Sequence, residues 1–193
     1  MKHSMSFLAI AMVLIMGSVS VHAQQPEKPR PSPKASVSQR IGIATDIKIE
    51  YGRPGVKGRK IWGELVPYGL APGNKSSNGK PFPWRGGANE NTTIEFTGDV
   101  AIDGNKLPAG KYSMHFIPSP TTWIVIFSKN DSLWGSYKYN QDEDALRITV
   151  TPVQAPFQEW LAYGFDELMP QSAVASLHWA ELIIPFKIET AMK

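Results

Sequence analysis

The sequence predicts an all-β fold: a single antiparallel β-sandwich with jelly-roll-like or Greek-key connections and long loops. Three observations carry that prediction. Apolar and polar residues alternate at period two in segment after segment, the mark of strands with one wet face. The segments recur at intervals of about 8–12 residues, with Gly, Pro, Asn and Asp between them. No long 3.6-residue pattern intervenes, so the helices of a parallel α/β fold have no sequence to form from.

Each element has its own signal. Ile41, Ile43, Ile47, Ile49 and Tyr51 share one parity and Gly42, Asp46, Lys48 and Glu50 the other, so residues 41–51 read as a strand. Thr92, Ile94 and Phe96 repeat the pattern. Val100 and Ile102 lead into Asp103-Gly104-Asn105-Lys106, a hairpin turn. Leu107-Pro108-Ala109-Gly110 is suited to a type I turn and launches Tyr112, Met114 and Phe116 on one face. Pro118 and Pro120 turn the chain again before Trp123, Val125 and Phe127. Leu146, Ile148 and Val150 follow, then strands over 160–165, 173–179 and 182–188. Pro185 lacks an N–H, which places it at an edge or a bulge. Residues 53–90 and 129–144 are irregular, and the second reads as a packed loop because Trp134, Tyr137 and Tyr139 sit among its polar residues.

The ends have a different character. Lys2 and His3 precede a short apolar run, which closes on Val21-His22-Ala23. That is the pattern of a secretory signal peptide over residues 1–23, cut after Ala23. The run falls short of the about 20 residues a membrane span needs. Residues 24–35 carry Pro26, Pro29, Pro31 and Pro33 among polar residues and read as an extended linker without a fold of its own. Residues 36–193 form the domain, large enough to bury roughly 70% of its unfolded surface. It holds no cysteine, and an exported domain without disulfides suits a bacterial periplasm or exterior. The net charge of +3 is close to neutral, which speaks against a nucleic-acid binder, and no basic amphipathic helix suggests a membrane-surface role.

Little in the chain fits a standard catalytic pattern. Beyond the leader only His115 and His178 remain, and neither His-x-His nor His-Glu-x-x-His spacing occurs, so no metal or cofactor is expected. His115 reads as an ordinary strand histidine on the polar parity. No Gly-x-Ser-x-Gly elbow and no phosphate loop is present. The Asn89-Glu90 pair matches the acid/base dipeptide of many retaining glycosidases. Glu90 would then need a second carboxylate about 5 Å away, with Asp99 and Glu181 as candidates.

Residues 51–90 hold the densest chemistry. Arg53, Lys57, Arg59, Lys60 and Arg85 supply cations, with Trp62 and Trp84 as flat walls. Guanidinium forks suit carboxylates and phosphates. Glycines at 52, 55, 58, 86 and 87 allow a close backbone approach to a ligand. The expectation is a pocket for a small anionic or glycan ligand lined by Arg53, Arg59, Trp84, Arg85, Asn89 and Glu90. The competing expectation pairs Arg53, Arg59 and Arg85 with Glu50, Glu64 and Glu90 as internal ties.

The motif Tyr-Gly-Arg-Pro-Gly-Val-Lys-Gly-Arg-Lys-Ile-Trp-Gly at 51–63 is followed by Leu-Val-Pro-Tyr-Gly at 65–69 and Trp-Arg-Gly-Gly-Ala-Asn-Glu-Asn-Thr-Thr at 84–93. Leu-Pro-Ala-Gly-Lys-Tyr-Ser at 107–113 and Trp-Ile-Val-Ile-Phe at 123–127 complete the set. Together they resemble the domain of unknown function 2911 family, secreted bacterial proteins frequent in Bacteroidetes. The resemblance implies an exported β-rich domain without an established activity. Relatives pass almost directly from Val-Pro-Tyr-Gly to Trp-Arg, whereas residues 70–83 intervene here and are placed to cover a pocket mouth. The combined expectation is a non-catalytic binding or structural module. The alternative is a small envelope-glycan hydrolase using Glu90.

Overall fold

The computed structural model describes residues 29–190, so the signal-peptide segment lies outside the described residues. Ten strands follow in order: β1 (Lys34–Ile41), β2 (Thr45–Gly52), β3 (Thr92–Phe96), β4 (Val100–Ile102), β5 (Asn105–Leu107), β6 (Gly110–Ile117), β7 (Trp123–Ser128), β8 (Asp144–Val150), β9 (Val153–Met169) and β10 (Ser172–Thr190). They form a six-stranded sheet in the order β1-β2-β3-β6-β7-β8 and a four-stranded sheet in the order β5-β4-β10-β9. All of their pairings are antiparallel. The two sheets pack as a sandwich. The chain runs through the large sheet by nearest neighbours, leaving it between β3 and β6 to place β4 and β5 in the small one.

Turn chemistry explains the local pattern. Asp103 and Gly104 take successive positive φ values of 45° and 79°, the twist that a two-residue hairpin between β4 and β5 requires. Residues 41–51 are not one strand: Ile41 ends β1, Gly42 turns at φ 61°, and Ile43 stands 99% exposed at the tip. Period-two alternation survives such a turn when its length preserves parity, so the break was invisible in the pattern. The last two expected strands are a single one, β10, whose register against β9 shifts around Ala180, at φ 50°. Pro185 lies between Ile183, the last β10 residue paired with β9, and Ile188, the first paired with β4, so no ladder bond is lost.

The core forms where the sheets face each other. Ile49, Ile94 and Met114 are fully buried in the large sheet. Phe127 crosses to Phe186 of β10 with ring centroids 5.8 Å apart. Burying a side chain of this kind stabilises by about 1.5–3 kcal/mol relative to exposure.

The domain also begins earlier than the proline spacing suggests. Lys34 and Ala35, expected in the linker, already pair with Gly52 and Tyr51. The Pro33 carbonyl accepts from Arg53 N at 2.8 Å, and Arg30 meets Glu90 at 2.7 Å. Prolines favour an extended chain, and an extended chain can lie along a sheet edge as readily as in solvent.

Candidate functional site

Residues 84–89 are fastened to both sheets. Trp84 and Phe116 exchange backbone hydrogen bonds of 2.8 and 2.7 Å, so this segment continues the β6 ladder beyond the place where β3 begins. The Gly86 carbonyl accepts from the Tyr163 hydroxyl at 2.8 Å, a tie to β9, and from Thr92 Oγ1 at 3.2 Å. Gly86 has φ 61°, and a Cβ there would drive into Phe116 and the Tyr163 hydroxyl. Only glycine meets both conditions. The Trp84 indole stacks on Trp179 of β10, with centroids 6.0 Å apart and planes 16° apart.

This fastening shapes a cavity of about 470 Å³ beside the sandwich. Trp84 and Trp179 line it together with Phe82 of the 70–83 segment and Tyr137 of the 129–144 loop. Phe82 and Tyr137 meet edge to face at 5.0 Å. The segment carrying Phe82 folds back through a bridge between Ala71 and Phe82, so it forms a wall of the cavity. Among the described residues Arg59 and Arg85 are the charged residues of the lining, and no Asp or Glu belongs to it.

Arg85 is held but not neutralised. Its Nη1 donates to the Asn89 carbonyl, its guanidinium lies 4.9 Å from the Tyr137 ring centroid, and Gly135 packs against it at φ 62°. Asn89 itself takes φ 65°, a left-handed conformation that asparagine tolerates. Arg59 donates from Nε to Val56 O at 3.0 Å and from Nη2 to Gly55 O at 2.6 Å. Among the described residues neither arginine pairs with a carboxylate.

The six residues expected to form one site therefore divide. Arg59, Trp84, Arg85 and Asn89 come together in the cavity. Arg53 lies outside its lining and donates to Leu161 O at 2.9 Å, stapling the loop to β9. Glu90 lies in a separate cleft with Lys34, Glu50 and Lys111. The reversal at Asn89 separates the ends of the motif.

The expected internal pairs are also not made. Glu50 contacts Lys48 at 2.9 Å and Lys111 at 3.8 Å, Glu64 contacts Lys60 at 3.0 Å, and Glu90 takes Arg30 and Lys34. Lysines claim Glu50 and Glu64, and Arg30 with Lys34 claims Glu90, so Arg53, Arg59 and Arg85 are left with backbone carbonyls. Trp62 forms no wall; it packs behind the cavity, edge-on to Trp84 at 5.8 Å and Trp179 at 5.7 Å. The glycines mostly serve chain packing: a Cβ on Gly52 would collide with Ala88 O, and one on Gly55 would crowd the Glu159 carboxylate.

Glu90 has the wrong electrostatics for a proton donor. Two bonds from Arg30, at 2.9 and 2.7 Å, hold its carboxyl down to about 2. Of the candidate partner carboxylates, Asp99 lies in another depression and accepts from Ala109 N, and Glu181 is exposed on β10. That depression is larger, about 850 Å³, but its lining sets Lys106 against both Asp99 and Glu189, so it concentrates no single charge. Among the described residues no group of His, Asp or Glu is arranged to hold a metal ion.

The sequence matches the family model of DUF2911, described as a protein of unknown function, over residues 32–188. The chain belongs to the DUF2911 family. No curated protein and no solved structure matches it.

Several of the motif residues of this DUF2911 domain lie in its interior. Tyr51 accepts from Tyr163 N at 3.2 Å, Trp123 is fully buried, and Trp62 stands 4.9 Å from Trp123. Sequence reasoning missed three cavity walls: Phe82, Tyr137 and Trp179. Tyr137 had a signal, being aromatic within a polar irregular segment, whereas Trp179 looked like any strand residue.

His115 was also misjudged, because the 129–144 loop covers the outer face of β6 in this DUF2911 domain. The ring is fully buried, its Nδ1 lies 2.7 Å from Ser136 Oγ, and Tyr139 packs edge-on at 5.2 Å. Nε2 has no partner among the described residues. Burial, aided by the Arg85 charge, pushes the imidazole down to about 3.

Proposed function

We propose that this DUF2911 domain is a non-catalytic binding module, exported behind a signal peptide cut after Ala23, whose cavity receives a small anionic or glycan ligand. The observation that carries this reading is Arg85: a guanidinium in an aromatic-walled cavity whose lining, among the described residues, holds no carboxylate. Cations near apolar walls are costly unless something completes their hydrogen bonding. The volume of about 470 Å³ falls within the range of small-molecule sites. The periplasm or exterior is the compartment that the leader and the absence of cysteine support.

Hydrolysis by Glu90 has less support, since a carboxyl held to about 2 stays ionised and cannot protonate a leaving group. Calorimetric titration of a panel of sugars, phosphates and organic acids tests the proposal. At least one compound should bind wild type, and Arg85→Ala should weaken it while no panel member is consumed. Turnover that disappears in Glu90→Gln would replace this reading with the enzymatic one.

A further inference from the structure

Resting on the reading of the cavity as a binding site, the choice between an anion and a neutral glycan can be taken further. A glycan displays many hydroxyls and needs matching donors and acceptors around it. Here Asn89, the one amide side chain of the lining, already spends its donor end: its Nδ2 donates to Ser32 O at 3.3 Å, while its backbone carbonyl accepts from Arg85. Much of the remaining wall is Phe82, Trp84, Tyr137 and Trp179, with Pro54, Pro67 and Pro83 between them.

A bare phosphate fits no better. It would want several converging cations, and the two nearby lysines are turned elsewhere: Lys57 Nζ lies over the Trp160 ring at 5.7 Å, and Lys60 pairs with Glu64 at 3.0 Å. Arg59 uses Nε and Nη2 on backbone carbonyls. Arg85 uses only Nη1, so its Nε–Nη2 edge has no acceptor among the described residues. Two parallel N–H groups on one guanidinium edge are the geometry that takes a carboxylate with both oxygens.

We propose that the cavity binds an amphipathic organic acid, its carboxylate on the free edge of Arg85 and its apolar or aromatic body against Trp84, Phe82 and Tyr137. The partner chemistry is thus one planar anion on an apolar frame. The two aromatic walls from the 70–83 and 129–144 segments set the room for the body, while Arg85 selects for charge.

The test uses matched pairs. Indole-3-acetate and decanoate are titrated against indole-3-acetamide and decanamide, with chito-oligosaccharide and inorganic phosphate alongside, followed by calorimetry and by tryptophan fluorescence. Wild type, Arg85→Gln and, as a charge control, Arg40→Gln are compared; Arg40 sits on β1, paired with Asp46. At least one acid should bind wild type and Arg40→Gln at least about tenfold more tightly than its amide, and Arg85→Gln should erase that preference, as expected for the loss of a charged hydrogen bond. Equal affinity for acid and amide overturns the proposal. So does an Arg85-dependent oligosaccharide or phosphate response without an acid response, an outcome that leaves the binding role intact. Silence from every probe overturns the proposal and the binding role together.

Discussion

Acidification from pH 7 to pH 5 should destabilise this domain through a single buried ring. His115 has an ordinary value of 6.5 and is held down to about 3 in the folded protein, chiefly by burial and further by Arg85. The other groups facing it are bound into one network. Tyr139 donates to Asp144 at 2.7 Å and accepts from Arg147, and Arg147 Nε meets Asp144 at 2.6 Å. The phenol of Tyr139 is pushed up to about 12, so it keeps its proton throughout the acidic range.

The sign of the effect follows from which state takes the proton. The unfolded chain binds it at ordinary pH values and the folded one refuses it, so stability is full above about 6.5 and falls as pH drops towards about 3. With 1.36 kcal/mol per pH unit, the loss is about 2 kcal/mol at pH 5 and about 3 kcal/mol at pH 4. Carboxylates lowered by ion pairs, Glu90 and Asp46 among them, add their losses only below their ordinary range near 4, so the window from 7 to 5 isolates the imidazole. Urea unfolding of wild type and His115→Gln at pH 7, 6 and 5 reads it out. Wild type should lose about 2 kcal/mol across the window while the variant stays nearly level. Equal slopes in the two proteins would refute the reasoning.

Two further outcomes follow from the loops. Gly86→Ala combines a left-handed φ with a collision against Phe116 and Tyr163, and should cost about 2–4 kcal/mol in urea unfolding. Gly58→Ala, at φ 68° with open space around it, should cost only about 1 kcal/mol. Glu90→Gln removes the carboxylate that Arg30 and Lys34 share, so hydrogen exchange should quicken at the Arg53 amide, which donates to the Pro33 carbonyl, and leave β3 unchanged.

The strands were legible because their signal is local. Thr92, Ile94 and Phe96 alternate within one strand, and the Asp103-Gly104 turn names its own geometry. What failed depended on partners distant in sequence. Ile43 kept the parity of Ile41 and Ile47 while sitting in a turn. His115 alternates like an exposed residue, and only a loop some twenty positions away makes it buried. The cavity was half legible for the same reason. Trp84, Arg85 and Asn89 lie close together in sequence and Arg59 belongs to the same 51–90 segment, but Trp179 reaches the site from another sheet. Charge pairing was the least legible layer. Which cation a carboxylate meets depends on strand register, as with Lys34 and Glu90 on neighbouring parts of the fold.

That last failure supplies the sharpest distinction between a recognition role and an architectural one for Arg85. Within the protein its polar contacts are few: one hydrogen bond from the charged guanidinium to a carbonyl, worth about 1.5–3 kcal/mol net before the cost of desolvating the charge, and one face on Tyr137, worth about 0.5–1 kcal/mol at a partly exposed site. Methionine at this position would retain a flexible chain against the same rings, with a favourable sulfur–aromatic contact and no charge to desolvate. If Arg85 exists to meet a ligand, Arg85→Met should change unfolding stability by less than about 1 kcal/mol while abolishing acid binding. If it exists to tie the 84–89 segment to the 129–144 loop, the same variant should lose more than about 2 kcal/mol, with the loosened loop exposing His115. Urea unfolding and histidine hydrogen exchange on one protein separate the two, because ligand recognition leaves the His115 ring protected and architecture does not.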